Sequence, residues 1–141
     1  MRVLLWALAG AAMWGIGPIF DRWALRNASP LLATLLRVGT AGIGASLVLL
    51  MGWGQWGEAL RKLPASTWGF LAASGLFGSI LGPLAYFFAL REGETSQVVP
   101  LASSSPIFTA LLAMLLLHES ISLARWMGIL LIVVGIALVQ R

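Results

Sequence analysis

Residues 63–90 read LPASTWGFLAASGLFGSILGPLAYFFAL, a run of 28 residues without a charge. A hydrocarbon core of about 30 Å is crossed by about 20 helical residues, so this run is long enough to span a bilayer. It lacks the period-two alternation of a half-buried strand. Charges divide the rest of the chain into similar pieces. Val3 to Phe20 and Thr95 to Leu117 are uncharged, Asn27 to Gly57 carries only Arg37, and Ile121 to Val139 carries only Arg125. Arg125 lies one turn into its stretch, where a long side chain can snorkel to the headgroups. The expected fold is an all-α integral membrane domain over residues 1–141, with five transmembrane helices at about 3–21, 30–51, 67–90, 95–117 and 121–139.

Composition supports lipid as the solvent. The chain is 60% hydrophobic and 10% charged, with a mean hydropathy of +0.94. A soluble domain is typically about 45–50% apolar and about 25% charged, and needs that polarity to cover its surface. The pI of 11.2 rests on nine Lys/Arg against five Asp/Glu scattered singly. No basic stripe interleaved with aromatics suggests nucleic acid as a partner. The lack of Cys excludes disulfides, thiol catalysis and Cys-based metal sites. At the N-terminus, Arg2 and Ala7-Leu8-Ala9 mimic a secretory signal. The apolar stretch before that site is too short, and hydrophobicity continues to Phe20, so a retained helix is expected.

The connections carry helix punctuation. Ser29-Pro30 is an N-cap followed by Pro at the first helical position. Ser66 or Thr67 can cap the third helix, Gly93 can end it, and Ser120 or Ser122 can start the fifth. The longest link, Gly52 to Leu63, holds Trp53, Trp56, Glu58, Arg61 and Lys62, which suits a segment at the headgroup level.

Three features can carry function. Small residues recur every fourth position at Ser74, Gly78 and Gly82, and at Ala7, Ala11 and Gly15. They permit close helix packing in lipid, or close approach of a substrate. Pro18, Pro83, Pro100 and Pro106 each lack an N–H, which deprives the carbonyls of Trp14, Ser79, Ser96 and Ala102 of their usual partners. In hydrocarbon a freed carbonyl needs cover from protein or a water-filled cavity. The fourth helix is most affected, because Pro100 and Pro106 bracket Ser103, Ser104 and Ser105. A polar, broken helix in a greasy chain points to a translocation site, and Gln97 and Ser104 share one of its faces. The serines can alternatively serve only to mend the proline breaks.

Arg37 is the third feature. It lies seven residues past Pro30, about 10 Å along the helix at 1.5 Å per residue. An Arg at the centre of a span costs about 2.5–3.5 kcal/mol on insertion scales, so it should face a partner or water. It either holds an anionic substrate group or pairs structurally, with Asp21 or a helix-end carbonyl, or snorkels. The other acids, Glu58, Glu92, Glu94 and Glu119, and the lone His118 fall at span ends or in loops. No Ser/His/Asp set, HExxH, paired intramembrane carboxylates or phosphate loop is present. The chain is therefore expected not to be an enzyme, and to use neither metal nor cofactor.

From Gly75 to Val139 the chain resembles the EamA domain of the drug/metabolite transporter superfamily. That family has a third helix ending in an aromatic "yfyAl" stretch, here Tyr86-Phe87-Phe88-Ala89-Leu90. A fourth helix of pattern "l..l.Pvft.ll....l.E" follows, here Pro106-Ile107-Phe108-Thr109 with Glu119, and then a Gly-spaced last helix, here Gly128 and Gly135. Trp14-Gly15, Ser29-Pro30 and Arg37 extend the resemblance through the first half. Each motif is weak alone, but the five in order are specific.

The resemblance implies one five-helix repeat unit of a kind that most relatives carry twice, as an inverted repeat around a substrate cavity. It implies a secondary transporter of small metabolites or drugs, multi-pass in the cell (inner) membrane, working as a dimer by alternating access. The alternative is a non-transporting membrane subunit that stabilises or regulates a partner. The expected substrate-binding residues are Trp14, Arg37, Tyr86, Gln97, Ser103 and Ser104. Four-helix multidrug relatives carry a Glu midway along the first helix, whereas no acid lies between Val3 and Phe20 here. That departure argues against proton-coupled export of cationic drugs. Arg2, Arg61, Lys62 and Arg125 on one side balance Arg22, Arg26, Arg91 and Arg141 on the other. The positive-inside rule then gives no preferred orientation, and an antiparallel homodimer is expected.

Overall fold

The computed structural model describes residues 2–140. Every regular element among them is helical, which is the arrangement that satisfies backbone N–H and C=O groups without water. The chain divides into two compact units, Met1–Arg91 and Glu92–Arg141.

In the first unit, α1 runs Arg2–Ala24 as one 23-residue helix with Pro18 inside it. Helix α2 spans Pro30–Met51. Its start follows from local chemistry: Ser29 is extended and its hydroxyl accepts the Leu32 N–H at 3.3 Å, while Pro30 costs no helical hydrogen bond at the first position. Helix α3, Trp53–Lys62, fills the long link. It puts Trp53 over Gly57, where an added Cβ would lie 3.2 Å from the indole, and Lys62 bonds Glu58 at 2.6 Å one turn away. A short helix with two partly exposed Trp and its charges at the far end fits the bilayer surface.

The third apolar stretch is continuous from Ala65 to Glu92 but not uniform. It comprises α4 (Ala65–Gly75), a π-helical segment (Leu76–Leu81) and α5 (Gly82–Glu92). It opens at Ala65 behind Pro64, with the Thr67 N–H on the Pro64 carbonyl at 3.0 Å. Ser66 and Thr67 therefore lie in its first turn and do not cap it. Pro64 is extended and supplies the boundary through its backbone instead.

In the second unit, α6 (Thr95–Ala102) and α7 (Ser105–Leu116) are separated by a turn at Ser103 and Ser104. Helix α8 runs Leu123–Val139, capped by Ser122, whose hydroxyl accepts the Arg125 N–H at 3.4 Å. Helices α6 and α8 pack together, and the Gln140 side chain donates to the Gln97 carbonyl at 2.9 Å.

Four helical stretches, Arg2–Ala24, Pro30–Met51, Ala65–Glu92 and Thr95–Leu116, are long and apolar enough to cross a membrane, and Leu123–Val139 is a shorter apolar helix of 17 residues. Leu, Phe, Trp, Ile and Val side chains are exposed along all of them. Such a surface has no place in water. The chain is a multi-pass membrane protein. Arg141, counted in the charge balance above, lies outside the described residues.

Candidate functional site

The first unit contains a cavity of about 610 Å³. Its walls come from the middle of α2 and from the α4–π junction, and α2 packs against the π segment. Ala41, Gly42 and Ala45 line it from α2, Gly75 and Gly78 from the other wall, and the Ser74 and Ser79 hydroxyls add polarity. The Ser74/Gly78 stripe thus faces open space in this unit. A Cβ built on Gly78 meets nothing within 4 Å, and the same holds for Gly15 of the first-helix stripe and for Gly75.

The π segment shapes this wall, and its origin is local. Pro83 has no N–H to give the Ser79 carbonyl, so a regular α-turn is incomplete there. The chain widens instead, and the Gly82 N–H reaches the Phe77 carbonyl five residues back. A Cβ on Gly82 would stand 2.9 Å from that same oxygen, so the wide turn requires glycine. Single π turns in α-helices occur frequently at functional sites.

Trp14 and Arg37 line the cavity. Trp14 is 81% exposed, so its ring stands at the cavity's edge with little cover from its own chain. Arg37 pairs with Asp21 of α1, Nη1 to Oδ2 at 3.7 Å, with side-chain exposures of 51% and 16%. Its guanidinium also lies 5.6 Å from the centre of the Phe87 ring. Phe87 is buried at 1% exposure, which makes it a fixed platform for a cation–π contact worth about 0.5–1 kcal/mol at an exposed cation. An intramembrane Arg therefore has both a carboxylate and a ring, while a separation of 3.7 Å leaves donors free to engage another group. Among the alternatives open at sequence level, pairing with Asp21 is the one observed.

Tyr86 does not line the cavity. It sits beside Phe87, ring centres 6.0 Å apart, and within electrostatic reach of Asp21 and Arg37. Its hydroxyl is buried and has no hydrogen-bond partner among the described residues. A buried hydroxyl without a partner costs about 1–3 kcal/mol and calls for an explanation such as a bound water or ligand.

Gln97, Ser103 and Ser104 belong to the second unit. Gln97 contributes its carbonyl to Gln140. Ser103 closes the end of α6, with its N–H and its hydroxyl both on the Val99 carbonyl, at 3.0 and 2.9 Å. The hydroxyl does not go to the Ser96 or Ala102 carbonyls that Pro100 and Pro106 deprive. A second cavity of about 390 Å³ is lined by Ser105, Pro106 and Thr109 of α7, by Arg125 of α8 and by Glu119. Of the six residues expected at the site, Trp14 and Arg37 line the first cavity, and the other four do not. Sequence reasoning noted the small-residue stripe without making it a wall, and it did not see the π segment.

Along its whole length, residues 1–141, the sequence matches the EamA-like transporter family. The chain belongs to that family. An uncharacterized transporter from the cobO 3′ region of a Sinorhizobium species is 34% identical over 131 residues, 92% of this chain and 90% of its own length. The probable 4-amino-4-deoxy-L-arabinose-phosphoundecaprenol flippase subunit ArnE of Pseudomonas fluorescens is 33% identical over 114 residues, 79% of this chain and 96% of its own length. The uncharacterized inner membrane transporter YedA of Escherichia coli is 28% identical over 136 residues, 94% of this chain but 42% of its own length. This EamA-like chain thus spans nearly all of some relatives and under half of another. No solved structure matches it.

Proposed function

We propose that the chain moves a small polar molecule across the inner membrane, as one half of a two-unit transporter that alternates access around the cavity of the first unit. The observation that carries this is a cavity of about 610 Å³, walled by small residues, with Arg37, the one charge of α2, at its wall and an exposed Trp14 at its edge. An aromatic at the mouth of a half-open site is suited to closing on a substrate when a second unit covers it. The loose Arg37–Asp21 pair offers both signs of charge, so a substrate can exchange with either partner.

The second unit in this proposal is another copy of the same chain, inserted upside down. With α8 counted as a fifth span, the two ends of the chain emerge on opposite faces, and Arg and Lys are balanced across the spans. YedA's length, of which this chain covers 42%, supports two such units in one working transporter. Proteoliposomes holding only this chain, screened for uptake of amino acids, sugars and organic cations, test transport directly. Uptake above protein-free vesicles is expected, and its loss in Arg37→Gln with partial retention in Arg37→Lys ties it to the site, because Lys keeps the charge without the planar fork. Single cysteines at Ser29 and Ser66, on opposite faces in this arrangement, test orientation. An impermeant maleimide on intact cells should label roughly half the molecules at each site. Full labelling at one and none at the other means a single topology.

A second reading has one observation in its favour: ArnE, of nearly equal length, is described as a flippase subunit. On that reading the partner is a different chain. Uptake that appears only when a co-purifying membrane protein is added to the vesicles selects it.

A further inference from the structure

Three arginines converge at one end of the first unit, away from the cavity just described. Arg22 in the last turn of α1, Arg26 in the turn that follows and Arg91 in the last turn of α5 line, with Leu25, a separate cavity of about 300 Å³. The frame that holds them is well tied. The Arg22 guanidinium donates to the Leu90 carbonyl, joining the ends of α1 and α5. Leu25 and Leu90 are buried. Arg26 rides on a closed turn, with its own N–H on the Trp23 carbonyl at 3.3 Å and the Asn27 and Ala28 N–H groups both on Ala24.

Cations at helix C-termini have an ordinary use, which is to offset the dipole. Each helix end carries only about −0.5 of a charge, so two ends take up about one of the three positive charges, leaving about +2. Nearby acids do not take up the rest. Of the acids near this end, Asp21 turns to Arg37, Glu94 accepts the Ser96 hydroxyl at 3.4 Å, and Glu92, next in the chain to Arg91, takes part in neither ion pair of the described residues. Among the described residues no carboxylate pairs with Arg26 or Arg91. Arg22 is already engaged and serves as a wall, so Arg26 and Arg91, both exposed, supply the exchangeable donors. Trp23, edge-on to Phe20 with ring centres 5.7 Å apart, is half-exposed beside them and marks the depth as that of the headgroups.

We propose that Arg22, Arg26 and Arg91 form a binding site for a phosphate ester at the membrane surface, separate from the transport cavity. Guanidinium forks bind phosphate oxygens two at a time, which lysine cannot do, and basic pockets between membrane helices are suited to anionic headgroups. The phosphate has two possible sources, a phospholipid or a soluble ester, which share this chemistry.

The full chain, purified in detergent and in nanodiscs, separates them. Native mass spectrometry should find phosphatidylglycerol retained at least tenfold more than phosphatidylcholine. Glycerol 3-phosphate, added to lipid-depleted protein in detergent, is the soluble probe, read as a thermal shift. Retention or protection by either probe, lost in Arg26→Gln/Arg91→Gln and weakened in Arg26→Lys/Arg91→Lys, supports the site, and the probe that acts identifies the source. Arg61→Gln/Lys62→Gln removes the same two charges from α3 and should change neither readout. The proposal is overturned if the Arg26/Arg91 glutamine variant behaves as wild type, or if the α3 variant loses as much, since charge alone then explains the binding. Should the glutamine variant not fold, the lysine variant decides, and undiminished retention there overturns the site. Neither readout requires transport, so this result is independent of the proposed function.

Discussion

Two spans of this protein meet prolines in opposite ways. In the third, Pro83 is absorbed: the helix widens by one residue over Leu76–Leu81, Gly82 reaches Phe77, and the span remains continuous for 28 residues. In the fourth, Pro100 and Pro106 break the helix, and α6 stops at Ala102 before α7 restarts at Ser105. The spacing accounts for the difference. One missing N–H can be bypassed by a single wide turn where glycine allows close approach. Two missing N–H groups six residues apart leave too few regular bonds between them, and serines at the gap offer the backbone another partner. Absorption keeps a wall in place, whereas a break creates a joint. The first unit therefore holds the larger cavity on a continuous wall, and the second carries the element best built to bend.

The largest effect should come from stiffening the joint. Ser104→Leu puts an apolar side chain into the turn and favours continuation of the helix. Transport in proteoliposomes should fall to background while the protein still inserts and migrates as wild type. Unchanged uptake would mean that the break is only a packing accommodation and that motion lies elsewhere.

An intermediate effect is expected from the absorbed proline. Gly82→Ala drives a methyl towards the Phe77 carbonyl, from a position 2.9 Å away, and overpacking of this kind costs about 1–3 kcal/mol. The melting temperature in detergent should drop accordingly. Pro83→Ala restores an N–H for Ser79 and permits a regular α-helix, which turns Gly78 and Ser79 relative to α2. Its stability should be unchanged or higher while uptake declines. If Gly82→Ala melts like wild type, the wide turn is soft, and the contrast between the two spans weakens.

How much of this was legible from residues alone follows the same division. The break at Ser103 and Ser104 could be read, because proline chemistry and its serine neighbours act within one turn. The helical, lipid-facing class could be read from charge spacing. The π segment could not: Pro83 announces a lost N–H, but whether the chain breaks or widens depends on how α2 packs against it. Arg37 was visible as an intramembrane charge with Asp21 among its candidate partners. That Asp21 of α1 comes within 3.7 Å of it depends on how α1 and α2 pack, which local sequence does not encode. Ser66 and Thr67 misled because cap preference acts within one residue, and Pro64 had already set the boundary. The fifth stretch, 17 residues long as a helix, is at the lower end of the roughly 17–25 that cross a bilayer.

The smallest effect concerns how the two spans end. The third ends at Glu92 with Gly93 following, yet no glycine among the described residues has a positive φ. The fourth ends at Leu116, and there His118 takes the left-handed conformation at φ 53°. That turn bends the chain back so that the Ala113 carbonyl accepts both the Leu117 N–H at 3.0 Å and the Glu119 N–H at 3.2 Å. Left-handed backbone costs an L-residue about 1–2 kcal/mol, and glycine avoids that cost while giving back about 0.5–1 kcal/mol through the freedom it has when unfolded. His118→Gly should therefore stabilise the protein by about 0.5 kcal/mol, seen as a small rise in melting temperature. His118→Ala keeps the strain and should give no rise. The pair of variants separates backbone relief from loss of the ring. If both destabilise, the imidazole contributes a contact that outweighs the strain, and the two span ends differ by side chain and not by backbone.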